Sequence, residues 1–381
     1  MKVYLDNAAT TALRPQVINR MTEVLQQNFG NASSTHAFGR NSKALLEQCR
    51  KSIASYLNAS AAEIIFTSGG TEADNLVLRS AVTDLKVKRI ITSKTEHHAV
   101  LHVAEQLKVS HDITLEFVNI DGDGSINLEH LKTLLEVSEA PTLVSLMHIN
   151  NEIGNMINLK EVANLVKSYN AYFHSDTVQS VGHYSIDLED IPIDFMVASA
   201  HKFHGPKGIG FCFVRKGAAL KATITGGAQE RGLRAGTEAL HNIVGMTEAL
   251  QLAYDRLEEE QNYISDLKLY FIQELKKAIP QIKFNGRSAN ENLSTYTILN
   301  IQLPQSHIDA SMLQFQLDLR GIACSRGSAC QSGSTKASHV LSAFLDAEEL
   351  KLPNLRFSLS KNNTKEELDY VVETLSSITS R

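Results

Sequence analysis

A regular alternation of short apolar runs and amphipathic stretches, from about residue 63 to residue 214, is the feature that most constrains the fold. The apolar runs have the length of buried strands, and the stretches at 128–135 and 159–169 have helical periodicity. The alternation predicts an α/β fold with a mainly parallel sheet covered by helices, and ligands of such sheets bind beyond the carboxyl ends of the strands. The predicted strands are residues 64–66, 90–91, 113–118, 143–147, 171–173, 195–198 and 210–214.

A lysine stands at the end of one of these runs. Lys202 lies in the segment 199–208, with Ser199 and His201 as polar neighbours. A buried lysine usually has a partner or a chemical role, and a desolvated amine can act as a nucleophile. The plainer alternative is a lysine whose stem packs while its amine stays in water.

An acid and an amide follow the preceding strand. Asp176 and Gln179 come just after an apolar run that ends near Phe173. Pyridoxal phosphate (PLP) needs a lysine that forms an imine and an acid that keeps the pyridine nitrogen protonated. Asp176 would supply the counter-charge and Gln179 could bind the ring oxygen, whereas taken alone Asp176 is more often a strand-end cap.

Paired glycines mark a third strand end. Gly69, Gly70 and Thr71 lead from a strand into a helix-compatible stretch. Glycines let the backbone approach an anion, and a helix N-terminus offers N–H groups, so this turn predicts a phosphate cradle. The turn is neither a P-loop nor a G-x-G-x-x-G fingerprint, and an ordinary strand-to-helix connector is the alternative.

Composition disfavours several classes of protein. The chain has 381 residues, 43% of them hydrophobic, which allows a substantial core. We expect a cytoplasmic protein, since no apolar run is long enough to cross a membrane and the first residues do not resemble a signal peptide. A net charge of −5 without a basic block disfavours nucleic acid as a partner.

One of the four cysteines lies where a core residue is not expected. Cys330 belongs to the stretch 325–336, which is rich in Gly and Ser and predicts a mobile loop; an incidental loop thiol is the alternative. Its spacing from Cys324 does not fit zinc, and we predict no metal site. Residues 121–127 begin like a calcium loop but lack its later glycine and glutamate, and therefore predict a turn.

The last third of the chain has a different pattern. A long helical pattern extends from residue 238 to about residue 275. Strands are predicted at 295–302 and 355–359, and helices at 308–319 and 365–376. This order predicts a separate α+β domain.

Motifs along nearly the whole chain resemble those of the cysteine desulfurases. Each motif is weak alone, but together they occur in the family's order and at its intervals. The length of the loop around Cys330 resembles the NifS/IscS-type branch. The motifs are Tyr-Leu-Asp-Asn-Ala-Ala-Thr-Thr (4–11), Gly-Asn-Ala-Ser-Ser-Thr-His (30–36), Gly-Gly-Thr-Glu (69–72), Thr-Glu-His (95–97), His-Ile-Asn-Asn-Glu-Ile-Gly (148–154), Arg-Ala-Gly-Thr (234–237), Gly-Ser-Ala-Cys (327–330) and Arg-Phe-Ser (356–358).

The resemblance implies the architecture of fold type I of the PLP-dependent transferases. We expect a large PLP-binding domain over 15–255 with a mainly parallel seven-stranded sheet. The smaller α+β domain, 1–14 and 256–381, would carry the loop of Cys330. The family also implies a homodimer, in which Thr237 reaches the phosphate in the other subunit.

The resemblance also implies a reaction. L-Cysteine would give L-alanine and a persulfide on Cys330, whose sulfur passes to an acceptor protein of open identity for iron–sulfur cluster, thio-cofactor or tRNA synthesis. Lys202 would bind PLP and move the substrate α-proton, assisted by His97 rather than His98. Arg356 would hold the substrate carboxylate, helped by Asn151. The implied cofactor-binding residues are Gly70, Thr71, His97, Asn151, Asp176, Gln179, Ser199, His201, Lys202 and Thr237.

Three alternatives stay open at this point. An aminotransferase of the same fold would keep Lys202 and Asp176 but would not need Cys330. A selenocysteine lyase would use the same residues on a different substrate. A noncatalytic sulfur or metal carrier would use Cys324 and Cys330.

Overall fold

A computed structural model of the chain describes residues 1–218, 220–304, 310–327 and 338–379. The strands are β1 (Val3–Tyr4), β2 (Ile64–Thr67), β3 (Arg89–Ser93), β4 (Thr114–Val118), β5 (Thr142–Ser145), β6 (Tyr172–Asp176), β7 (Phe195–Ser199), β8 (Gly210–Val214), β9 (Lys283–Phe284), β10 (Ile298–Gln302), β11 (Ile322–Ala323) and β12 (Asn354–Ser358). The α-helices are α1 (Pro15–Gln27), α2 (Ala37–Tyr56), α3 (Gly70–Thr83), α4 (His98–His111), α5 (Leu128–Glu136), α6 (Leu159–Ser168), α7 (Leu240–Asp255), α8 (Leu257–Ala278), α9 (Ala310–Leu319) and α10 (Lys365–Thr379).

Seven strands form the central sheet, in the order β2-β8-β7-β6-β5-β3-β4. The strands from β7 to β4 are mutually parallel, and β8 runs antiparallel to both β7 and β2. The residues of β5, β7 and β8 are all buried, as expected for a sheet with helices on both faces. The predicted α/β fold with a mainly parallel seven-stranded sheet is confirmed.

The direction of the strands places the predicted polar residues at one edge of the sheet. Because β2 opposes β8 and β8 opposes β7, β2 runs in the same direction as the parallel strands. The carboxyl ends of β2, β3, β6 and β7 therefore lie at the same edge, which is where ligands of such sheets bind.

Side chains at the starts of several helices accept hydrogen bonds from backbone N–H groups that have no partner within the helix. His97 caps α4, and Asn127 and Asn158 cap α5 and α6 by accepting from N–H groups of the first turn. The turn predicted at 121–127 is present, and its Asp123 carboxylate pairs with Arg287. No helix within the described ranges is long and apolar enough to cross a membrane.

The last third of the chain packs around a second hydrophobic core. There β9, β10 and β12 form an antiparallel sheet, and β1 pairs with β11, with Val3 opposite Ile322. Val3 and Leu5 join a core built otherwise from residues beyond 263, among them Phe271 and Phe357. The first residues of the chain thus pack with its end, while the exact boundaries 15–255, 1–14 and 256–381 stay a prediction.

The long helical pattern from residue 238 to residue 275 predicts a single helix, and this prediction is wrong. The structure has two, α7 and α8, separated at Arg256, whose φ of −120° and ψ of 19° are not helical. The break lets α7 pack on α1 and α2 while α8 packs on α10 in the second core. Periodicity cannot detect such a break because both helices keep their apolar faces.

Candidate active site

A cavity of about 430 Å³ opens at the carboxyl edge of the central sheet. The N-terminal segment borders it through Ala8, Ala9 and Thr10. The cavity collects most of the site residues predicted from the sequence: Gly70, Thr71, His97, Asn151, Asp176, Gln179, Ser199, His201, Lys202 and Arg356.

Lys202 presents its amine to this cavity. It ends a short 3-10 turn, Ala200–Lys202, that directly follows β7. Its Nζ atom donates hydrogen bonds to the backbone oxygens of Ala8, at 2.6 Å, and Ala9, at 2.9 Å. These two carbonyl groups direct the amine toward the N-terminal segment at the border of the cavity.

Asp176 is the last residue of β6 and is 6% exposed. Burial raises the pKa of its carboxyl to about 6, although a hydrogen bond from the Val178 N–H group and the positive charge of Lys202 lower it. A bound group with a positive charge beside Asp176 would favour the carboxylate form. Gln179 donates instead to the Ala8 oxygen, at 3.0 Å, and so reaches the same backbone atom as Lys202.

Two further buried groups lie beside Asp176 and were missed from the sequence. Asp74 on α3 lines the cavity and has one carboxyl oxygen 3.4 Å from Nε2 of His174. His174 and Asp176 are two positions apart on β6 and therefore face the same side of the sheet. This spacing in the sequence could have identified His174 as a neighbour of Asp176. Burial, followed by the charges of Asp176 and Glu96, raises the pKa of Asp74 well above its usual range. Burial lowers the pKa of His174 to about 3. His174 is therefore neutral at neutral pH, and burial favours the protonated form of Asp74.

The glycine turn after β2 forms a close-fitting corner of the cavity. Gly69 has a φ of 150°, in the region that favours glycine, and α3 begins at Gly70. A Cβ atom on Gly70 would lie 2.7 Å from a methyl group of Val178, so a larger residue would displace that side chain. The start of α3 therefore lines the cavity together with Ser199, and the N–H groups of a helix start suit a phosphate.

His201 stands near this corner and is neutral at neutral pH. Burial, and then the charges of Lys202 and Lys207, lower its pKa to about 4. Its Nδ1 atom is 3.2 Å from the Thr10 hydroxyl. The Nε2 side of the ring is the candidate phosphate contact.

His97 rather than its neighbour His98 belongs to the cavity. Nδ1 of His97 accepts from the Ala99 N–H group at 3.2 Å, which assigns the proton of the neutral ring to Nε2. Burial, and then the charge of Lys202, lower the pKa of His97 to about 4. His98 instead packs its ring against His102 and His339, with centroid distances of 4.6 and 4.4 Å.

Arg356 lies on β12 and crosses from the second core to the cavity. It is 1% exposed, and its NH1 group donates to the backbone oxygen of Asn151 at 2.7 Å. Its NH2 group donates to Oδ1 of Asp6 at 2.8 Å. A buried guanidinium at a cavity wall is suited to bind a carboxylate.

Cys330 and Thr237 are the two remaining predicted residues. Cys330 lies outside the described residues. Thr237 is exposed, and the segment before it is tied to the glycine turn by an ion pair between Arg234 and Glu72. Among the described cysteines, Cys324 is buried, and burial raises its pKa to about 12. Within the described ranges no group of three His, Cys, Asp or Glu side chains is placed to hold a metal.

Comparison with known proteins assigns the family. Residues 3–371 match the family described as aminotransferase class-V. The chain belongs to this family. It is 40% identical to the cysteine desulfurase IscS of Dictyoglomus turgidum, over 99% of this chain and 94% of that protein.

Solved structures agree with this assignment. A NifS-like protein matches with a TM-score of 0.90 and 34% identity, covering 100% of both chains. A structure described as SspA in complex with cysteine matches with a TM-score of 0.80 and 28% identity, over 95% of this chain and 100% of that one. The resemblance to the NifS/IscS-type cysteine desulfurases predicted from the motifs is confirmed.

Proposed function

We propose that this protein is a PLP-dependent cysteine desulfurase, which removes sulfur from L-cysteine, releases L-alanine and holds the sulfur as a persulfide on Cys330. The supporting observation is that Lys202, Asp176 and the glycine turn border one cavity in a chain with cysteine desulfurases as full-length relatives. The similar structure described as a complex with cysteine supports cysteine as the substrate.

The cavity fits PLP at three points. Lys202 offers the amine for covalent attachment, Asp176 offers a counter-charge for the ring nitrogen, and the turn at Gly70 with Ser199 offers a phosphate cradle. Bound there, PLP would supply the electron sink that makes the substrate α-proton acidic. Asp176 suits this role because a protonated ring nitrogen would stabilise the charged form of its buried carboxyl.

Side chains of the protein would bind the substrate and transfer its proton. Arg356 would hold the substrate carboxylate through two N–H groups, next to Asn151. The Lys202 amine would carry the proton of the substrate α-carbon. His97, neutral at neutral pH, would assist through its Nε2 proton.

Cys330 would perform the sulfur step as a thiolate. Its sulfur forms a bond with the substrate sulfur while the substrate bond between Cβ and sulfur breaks. The electron pair of the broken bond stays with the carbon skeleton, which takes up protons and leaves as L-alanine. Cys324 is a poor substitute because burial holds its thiol in the protonated form.

We also propose a homodimer with Thr237 serving the partner's cavity. An apolar face on α1 and the start of α2 supports this, since Phe29 and Phe38 are 74% and 56% exposed and their ring centroids lie 5.2 Å apart. Ile18 and Leu25, seven positions apart on α1, are also exposed. Exposed apolar groups of this size are typical of subunit interfaces. A cytoplasmic location and a sulfur-acceptor protein stay predictions.

The test is to incubate the PLP-loaded protein with L-cysteine and to measure alanine and the mass of the cysteine peptides. We expect alanine and a persulfide on the peptide of Cys330. Cys330→Ala should still bind PLP and L-cysteine but form neither product, and the matched Cys324→Ala variant should retain both. Amino transfer to a 2-oxo acid without persulfide would favour an aminotransferase, and failure to bind PLP would favour a carrier.

A further inference from the structure

The carboxylate of Asp6 contacts the buried arginine of the cavity wall. Oδ1 of Asp6 accepts from NH2 of Arg356 and from the Ser325 hydroxyl, each at 2.8 Å. The Arg356 side chain is 1% exposed and that of Asp6 is 19% exposed. Asp6 belongs to the first sequence motif, but the reaction as described above gives it no role.

Two contacts fix the guanidinium of Arg356 from different directions. One N–H of NH1 goes to the Asn151 oxygen and one of NH2 goes to Asp6. A guanidinium is planar and has five N–H groups, so each terminal nitrogen keeps a second N–H. With the plane held by two anchors, those remaining groups point in a fixed direction, and Arg356 lines the cavity.

The backbone reinforces this arrangement. Ser325 and Arg356 exchange both backbone hydrogen bonds, at 3.1 and 2.6 Å. Asp6 is bridged to Ser358 on the same strand, β12. The bridge to Ser358 fixes the backbone of Asp6, and Ser325 and Arg356 fix its carboxylate. The carboxylate cannot rotate away without breaking one of these two hydrogen bonds.

We propose that Asp6 is a positioning residue that orients Arg356 to bind the α-carboxylate of the substrate, and thereby selects amino acids over simple amines. The inference rests on the proposed function. Asp6 supplies the counter-charge that a buried arginine requires before any substrate binds. A structural ion pair alone would explain the burial of Arg356, but not why its guanidinium, with N–H groups beyond the two anchored ones, stands at the wall of the cavity.

The test compares two ligands that differ by the carboxylate. L-Cysteine and cysteamine share the amine and the thiol, and both can be followed by the early absorbance change of the PLP-loaded protein, before turnover. For Asp6→Ala we expect apparent affinity for L-cysteine to fall about 10- to 100-fold, the range for loss of a hydrogen bond to a charged group. The affinity for cysteamine should change less than about twofold.

Two further variants sharpen the test. Asp6→Asn keeps an oxygen that can accept from Arg356 and should retain part of the affinity for L-cysteine. Ser325→Ala removes the second contact of Asp6 and should cause a smaller loss of the same selectivity. An equal loss of affinity for both ligands, together with a lower melting temperature, would show that Asp6 has only a structural role. No loss for either ligand would also overturn the inference.

Failure of the inference differs from failure of the proposed function. Alanine release by the unaltered protein is measured alongside the binding, and its absence would refute the desulfurase. If the unaltered protein releases alanine but Asp6→Ala binds L-cysteine equally well, the role of Asp6 is refuted while the proposed function stands.

Discussion

Replacing Asp176 by asparagine should stabilise the PLP-free protein at neutral pH while weakening its hold on PLP. Burial raises the pKa of this carboxyl from 3.8 to about 6, so the folded state keeps a proton that the unfolded chain has already released. The free energy of unfolding therefore falls as pH rises from the unfolded value to the folded value, and stays low above it. The full difference corresponds to about 3 kcal/mol.

The measurement is urea unfolding of PLP-free protein across a pH series. Titrating groups distant from Asp176 contribute equally in both proteins and cancel in the difference between the Asp176→Asn variant and the unaltered protein. The difference therefore reports Asp176 together with Asp74 and Glu96, whose pKa values its charge raises. That difference should grow with pH, with about half of it developing above roughly pH 5. Asp266→Asn, an exposed position on α8, is the matched control and should show no such trend. A difference that does not vary with pH would refute the reasoning, as would PLP bound equally well by Asp176→Asn.

The remaining predictions concern the cofactor and the subunit interface. Lys202→Ala should lose the yellow chromophore that borohydride reduces, because its amine is the one that the N-terminal segment holds in the cavity. A reducible chromophore in that variant would assign the attachment to another lysine. Thr237→Ala should release PLP faster on dialysis without altering the dimer, since Thr237 is exposed in its own chain. An active monomer on sedimentation would contradict the shared site.

The polar residues at the strand ends could be predicted from sequence because the argument is local. An apolar run predicts a buried strand, and a parallel sheet brings the carboxyl ends of its strands to one edge. Asp176, Lys202 and the Gly69–Gly70 turn were found in this way, and all three border the same cavity. The family motifs added His97 and Arg356, which no local pattern identifies.

The partners of these residues could not be predicted because they are distant in sequence. Nothing near Arg356 indicates that its carboxylate partner lies 350 positions away, at Asp6. Gln179 lines the cavity as a candidate contact of the cofactor, and its hydrogen bond to the backbone oxygen of Ala8 could not be anticipated from its own segment. Periodicity reports which face of an element is buried, but it does not report what that face contacts.

The pairing of β1 with β11 has a consequence for the order in which the protein is made. Val3 leaves the ribosome first, but its partner Ile322 is among the later residues to be synthesised. At roughly 5–20 residues per second, the gap of 350 positions between Asp6 and Arg356 corresponds to roughly 20–70 s. During that interval the central sheet can form, but the N-terminal segment still lacks its partners on β11 and β12. The wall of the cavity at Arg356 is therefore the last part to be completed.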